Sequence, residues 1–185
     1  HHRSSAASDV YKRQSPVWRP TNKTLLDKLD AFQKKCIKWV LSEELTSYHS
    51  FDTYVHKCRQ VKILPFSKRL DLNDLILFHK IVNELCSQKL PDYLTKYSGN
   101  SRLRSCHHDS LSYVASIVQD HNNGSLLNKS FFYRTHSLWN TIPFEIRDHS
   151  CPVTFKSALK DHFWQELLSN ELDNSHTEFY VSDNG

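Results

Sequence analysis

The sequence predicts a mainly α-helical protein, a three-helix bundle followed by a smaller α-rich unit that holds a short β-hairpin. Three observations lead there. Apolar residues recur at steps of three and four along several segments, the spacing that lines one side of a helix. Prolines 20, 91 and 152 stand at the ends of those segments, where the missing N–H and fixed φ do no harm. One run, LSYVASIV at 111–118, has the β-branched character of a strand.

The first helix is expected over Thr21–Leu41. Leu25, Leu29, Phe32, Cys36 and Val40 fall on one narrow face. Thr21 or Asn22 can cap it, and Pro20 stops any upstream helix from running on. Lys34 and Lys38 lie opposite the apolar face with Lys28 and Lys35 on the flank, a surface they share with Asp27 and Asp30. A shorter helix is expected over Ser50–Gln60, with Phe51, Tyr54, Val55 and Cys58 at helical spacing. Pro65 then turns the chain. Leu70–Cys86 is the most apolar helix: Leu70, Leu77, Ile81 and Leu85 line one side, and Leu75, Phe78 and Val82 stand beside them. So wide an apolar arc belongs near the centre of a bundle.

Pro91 closes this unit. LPDYLTKY reads as a short helical turn or irregular link and SGNSRLRSCHHDS as a polar loop, with the 111–118 strand paired to Arg102–Cys106. HNNG at 121–124 is a turn signal. Residues 130–139 read as helix and IPFEIR as a capped turn. Pro152, in the favoured first position, opens a final helix through Leu168 that buries Phe155, Leu159 and Phe163. The resulting organisation is a non-native tail at 1–14, the bundle at 15–88, the second unit at 89–168 and a frayed polar tail at 169–185.

Composition narrows the class. Hydrophobic residues make up 38% of 185, enough for a core, but no run of about 18 apolar residues could span a bilayer. Five cysteines, an odd number scattered along the chain, argue against a disulfide framework and suit a reducing, intracellular setting. There is no methionine, so the chain is expected to be a piece of a longer reading frame. SSAASDVYKRQ at 4–14 resembles the in-frame translation of a transposase-based sequencing adapter and is set aside from the fold. Residues 1–14 carry Arg3, Lys12 and Arg13 against Asp9, so half of the formal net charge of +4 belongs to that tail. Overall basicity therefore says little about partners, and only local clusters can.

Twelve histidines and five cysteines invite a metal site, yet none of the paired C-x-x-C or H-x-x-x-H steps of a zinc centre occurs. The local clusters, Cys106-His107-His108 and His149-Ser150-Cys151, read as loop histidines and single thiols. With three glycines, at 99, 124 and 185, there is no phosphate-cradling loop, and no Gly-x-Ser-x-Gly elbow or paired-aspartate polymerase motif is present. The expectation is a non-enzyme with no cofactor, no membrane span and no small-molecule substrate. Basic clusters remain: Lys34, Lys35 and Lys38 with Lys28, then Lys68 and Arg69, then Arg102 and Arg104. Arg134 stands beside Phe131, Phe132 and Tyr133, with Trp139 nearby. Lysine and arginine attract phosphate and exposed aromatics stack on unpaired bases. The same aromatics can equally be core, and Arg134 can equally serve a structural ion pair.

Five motifs then occur in order: SPVWRP at 15–20, the L-x-x-F-Q-K-K-C-I-K-W stretch at 29–39, ILPFSKRLDLNDLILFHKIVN at 63–83, NKSFFYRTHSLWNTIPFEIR at 128–147 and TFKSALKDHF at 154–163. Together they resemble the region downstream of the catalytic palm in non-LTR (LINE-type, jockey-like) retrotransposon reverse transcriptases. The likeness covers nearly all of 15–168, and the order of the motifs carries it. One departure is HNNGSLLNKSFF, which lacks the Arg-Thr pair often seen before the SFF motif.

The resemblance implies that the bundle includes a reverse-transcriptase thumb that grips a template–primer duplex or element RNA. Gln33-Lys34-Lys35 stand where the family has Gln-Arg-Arg, and Lys68-Arg69 where it often has Arg-Arg. Trp139 and Pro143 match packing positions. The metal-binding palm, which would use Mg, has no counterpart in these residues, so no polymerase activity carries over; the implied partners are RNA or RNA–DNA duplex and that palm. The alternative is a helical protein-interaction or structural fragment of a decayed element, with no nucleic-acid role.

Overall fold

The computed structural model describes residues 19–20, 22–41, 51–98, 109–116 and 130–179. Among them, in chain order, are helices α1 (Lys23–Val40), α2 (Phe51–Gln60) and α3 (Phe66–Val82), strands β1 (Leu94–Lys96) and β2 (Tyr113–Ala115), and helices α4 (Phe131–Thr141), α5 (Phe144–Arg147) and α6 (Pro152–Phe179). Among the described residues the chain is mainly α with one short antiparallel sheet, the class its sequence predicts. It forms two compact units, His1–Arg19 with Leu70–Ala158 and Pro20–Arg69 with Leu159–Gly185. Each draws on two separate stretches of sequence, with boundaries inside α3 and α6, whereas the sequence suggests consecutive stretches meeting at 88–89.

In the unit of Pro20–Arg69 and Leu159–Gly185, α1 starts where the Asn22 side chain accepts the Thr24 N–H at 2.9 Å. Its buried side corrects the sequence expectation. Leu25, Leu29, Phe32, Cys36 and Val40 are exposed, while Gln33, Ile37 and Lys38 are buried. The reason is polar matching. Ile37 packs with Tyr54 and Cys58 of α2, with Leu41, Val61 and Trp164 against them. The hydroxyl of Tyr54 donates to Asp30 at 3.0 Å, and the Gln33 amide donates to the Leu64 carbonyl at 2.9 Å. These two bonds offset part of the cost of an inner face of mixed polarity, although the Gln33 Oε1 is buried without a partner.

Helices α2 and α3 end without glycine. Lys62 and Glu84 take φ of 57° and 56°, letting Ile63 N–H reach the Cys58 carbonyl at 2.9 Å and Leu85 N–H the Lys80 carbonyl at 2.8 Å. The α3 helix is therefore shifted from the expected 70–86 to Phe66–Val82, and Leu85 lies exposed beyond its end. On α6, Leu159, Phe163 and Leu167 are buried at steps of four. The helix runs on to Phe179 where a frayed tail was expected from Ser169, because no glycine or proline interrupts 169–179.

The other unit is built on aromatic packing. Phe78 of α3 meets Tyr113 edge-on at 5.5 Å and Trp139 at 5.3 Å, and Trp139 meets Phe155 at 5.7 Å between ring centres. β1 and β2 pair antiparallel with Thr95 opposite Val114. LPDYLTKY thus supplies a strand rather than a helical turn, and it is the partner of 113–115. The expected partner, 102–106, lies outside the described residues, as do HNNG and the 1–18 tail. Trp139 Nε1 donates to the Leu111 carbonyl at 2.9 Å, and the Asn140 amide brackets Tyr113, accepting its N–H at 3.0 Å and donating to its carbonyl at 2.8 Å. Asn140 thereby supplies from a helix the pair of bonds a neighbouring strand would make. Arg147, also buried, pairs with Asp109 and reaches the Ser112 hydroxyl at 3.4 Å.

His79 is buried against Phe155, the rings stacked with centres 4.2 Å apart. Its Nε2 lies 2.6 Å from the His149 carbonyl, which can only accept, so Nε2 carries the proton. Nδ1 is buried without a partner. Burial holds the ring below the ordinary imidazole value of 6.5, against the opposing pull of the His149 carbonyl. Below 6.5 the unfolded chain binds the proton more readily than the folded one, so this residue's contribution to stability falls as pH drops. The stability difference between wild type and His79→Phe is expected to be constant above pH 6.5 and to shrink below it; urea titrations across pH check this.

Candidate nucleic-acid interface

Of the nine candidate cations, Lys28, Lys34, Lys35, Lys38, Lys68 and Arg69 belong to one unit and Arg134 to the other. Arg134 is engaged within its unit. Its guanidinium binds Asp74 through Nε and Nη2, each at 3.1 Å, and Asp74 also takes Arg19 at 3.0 Å. Arg19 in turn reaches Asp71 at 2.6 Å. Asp74 is 1% exposed, so this is the structural ion pair of the two readings of Arg134. Trp139 is core, and Phe131, Phe132 and Tyr133 are half-buried. Arg102 and Arg104 lie outside the described residues.

In the unit that carries α1, Lys68 pairs with Glu166 at 2.7 Å and sits over the Phe163 ring at 4.9 Å. Arg69 covers the Phe66 ring at 5.4 Å. Lys34 pairs with Asp30 at 3.5 Å and lies over Tyr54 at 4.8 Å, and Lys38 is buried. Of the lysines expected on the outer side of α1, Lys34 is thus turned toward Tyr54 of α2 and Lys38 is buried.

Lys28 and Lys35 differ. Both are exposed and have no ion-pair partner among the described residues. They alternate with Phe32, 66% exposed, and Trp39, 85% exposed. Lys28, Phe32, Lys35 and Trp39 follow at steps of four, three and four, which sets them within about 60° of arc, on the side of the helix opposite Ile37. The strip is about 16 Å long at 1.5 Å per residue. Its two cations can hold phosphates and its two rings offer open π-faces. Leu25, Leu29, Cys36 and Val40 continue the exposed surface along one edge.

Sequence reasoning picks Lys28 and Lys35 but assigns Phe32 to the core and gives Trp39 no role at the interface. The signal was the alternation itself, K-x-x-x-F-x-x-K-x-x-x-W. It is masked because Phe32 also fits the stripe of Leu25, Leu29, Cys36 and Val40.

Burial pushes the Cys58 thiol up to about 11, leaving it protonated. Cys151 is exposed at the start of α6, where the N–H groups of Thr154 and Val153 lower its pKa. Among the described residues no three histidine, cysteine, aspartate or glutamate side chains come together as a metal site, and no helix is long and apolar enough to cross a membrane.

Among the described residues, α1 carries an outward strip of alternating lysine and aromatic residues. No protein-family model, curated protein or solved structure matches the chain.

Proposed function

We propose that the chain is a non-catalytic, nucleic-acid-binding part of a non-LTR retrotransposon reverse transcriptase, acting beside a palm that would hold the Mg and carry out synthesis. The observation that carries the nucleic-acid reading is the exposed Lys28–Phe32–Lys35–Trp39 strip. The order of the five motifs supports the family. Binding is sequence-independent, because lysine–phosphate contacts position a strand without reading it.

The test is binding of the chain to RNA and to an RNA–DNA hybrid as salt is raised. The expected result is affinity that falls with salt, with a slope reduced by about one to two on a logarithmic plot in the Lys28→Gln/Lys35→Gln variant. Absence of binding at low salt overturns the reading. One observation favours the protein-interaction alternative: the exposed Leu25, Leu29, Cys36 and Val40 edge is the kind of apolar surface that docks a partner.

A further inference from the structure

We infer that the α1 strip takes unpaired strands in preference to duplex; this deepens the nucleic-acid reading and rests on it. The reasoning starts from what Phe32 and Trp39 need. Both rings stand in water, 66% and 85% exposed, and lie about 10 Å apart along the helix. Their apolar faces gain from a partner only if that partner offers an apolar face in return. In a duplex each base is stacked on both sides, and the outer surface presents phosphate and sugar. A duplex laid on this strip would meet Lys28 and Lys35 but leave the two rings facing charge and water.

A single strand resolves the mismatch. Its bases can swing out to stack on Phe32 and Trp39 while its phosphates lie toward Lys28 and Lys35. The spacing suits this. Lys28 and Lys35 are seven residues apart, about 10 Å along the helix, a distance that a flexible unpaired backbone can match. Charge complementarity selects among occupants. A polyanion meets Lys28 and Lys35 with opposite charge, whereas a second copy brings two more lysines to the same surface.

The experiment uses the full chain and a labelled oligonucleotide of about 20 nucleotides without self-complementarity, free or annealed to its complement. Fluorescence anisotropy at low salt gives both affinities. The single strand is expected to bind about tenfold more tightly than the duplex, and Trp39→Ala and Phe32→Ala each to weaken single-strand binding about tenfold with little effect on duplex. Trp39→Tyr keeps an open ring and should retain most of the affinity, while losing the fluorescence quenching that stacking imposes on Trp39 in the wild type. These side chains are exposed, and thermal melts check that the variants stay folded.

Salt-dependent binding in which duplex equals or exceeds single strand, or in which the alanine variants match wild type, overturns the inference and leaves the nucleic-acid reading standing. No binding of either form overturns both. A wild-type chain that sediments as a dimer and becomes monomeric in Phe32→Ala assigns the strip to a second copy and also overturns the inference.

Discussion

Replacing Trp139 by alanine is expected to lower the free energy of unfolding by about 3–5 kcal/mol, read as a shift of the urea midpoint. The indole is 2% exposed and stands among Phe78, His79 and Phe155, so truncation opens a cavity that three other rings cannot collapse to fill. It also removes the Nε1 donor to the Leu111 carbonyl at the entrance to β2. Trp139→Phe separates the two effects. It keeps a large ring, loses the donor and should cost less than half as much, with the difference reporting mainly on volume. Loss of 3–5 kcal/mol is a large share of the roughly 5–15 kcal/mol that stabilises ordinary domains, so Trp139→Ala should also be sensitive to proteolysis.

The second large effect is electrostatic. Asp74→Ala removes the carboxylate that holds Arg134 and one of the two that hold Arg19, whose side chains are only 20% and 18% exposed. Stranding a mostly buried guanidinium costs about 3–5 kcal/mol. Burial pushes the Asp74 carboxyl up while Arg134 and Arg19 pull it down, so desolvation and charge pairing oppose each other in the cluster. For that reason the double variant Asp74→Leu/Arg134→Met, which removes both charges and leaves Arg19 on Asp71, is expected to be more stable than Asp74→Ala alone. A double variant as unstable as the single one would show that the cluster does more than neutralise its own charges.

Local rules predicted the elements whose interiors are uniform in character. Phe155, Leu159 and Phe163 repeat at four on α6 and are all buried, and Pro152 opens that helix. The cap of α1 is legible as Thr21 or Asn22, two polar residues between Pro20 and the helical spacing, and the structure uses Asn22. What was not legible depends on groups distant in sequence. The inner face of α1 is set by the Tyr54 hydroxyl and the Leu64 carbonyl, 24 and 31 residues from the side chains they bind. Without them, the rule that apolar residues go inside chooses the wrong stripe. The end of α3 was missed because Glu84 occupies a left-handed position that sequence rules reserve for glycine. At the site, Lys28 and Lys35 were named from charge, whereas Lys34, Lys38, Lys68 and Arg134 carry the same charge with different surroundings. Composition cannot distinguish a lysine that faces water from one already holding Asp30 or Glu166.

The Asp74 cluster bears on how this chain can be cut. Arg19 comes from SPVWRP, Asp74 from LDLNDL and Arg134 from SFFYR, so three stretches far apart in sequence meet at one carboxylate. An expression boundary placed at Pro20, where the proline makes a natural-looking start, would discard one of the three. Leu70–Ala158 groups with the segment that ends at Arg19, and a subclone meant to keep the Asp74 cluster whole begins upstream of that residue.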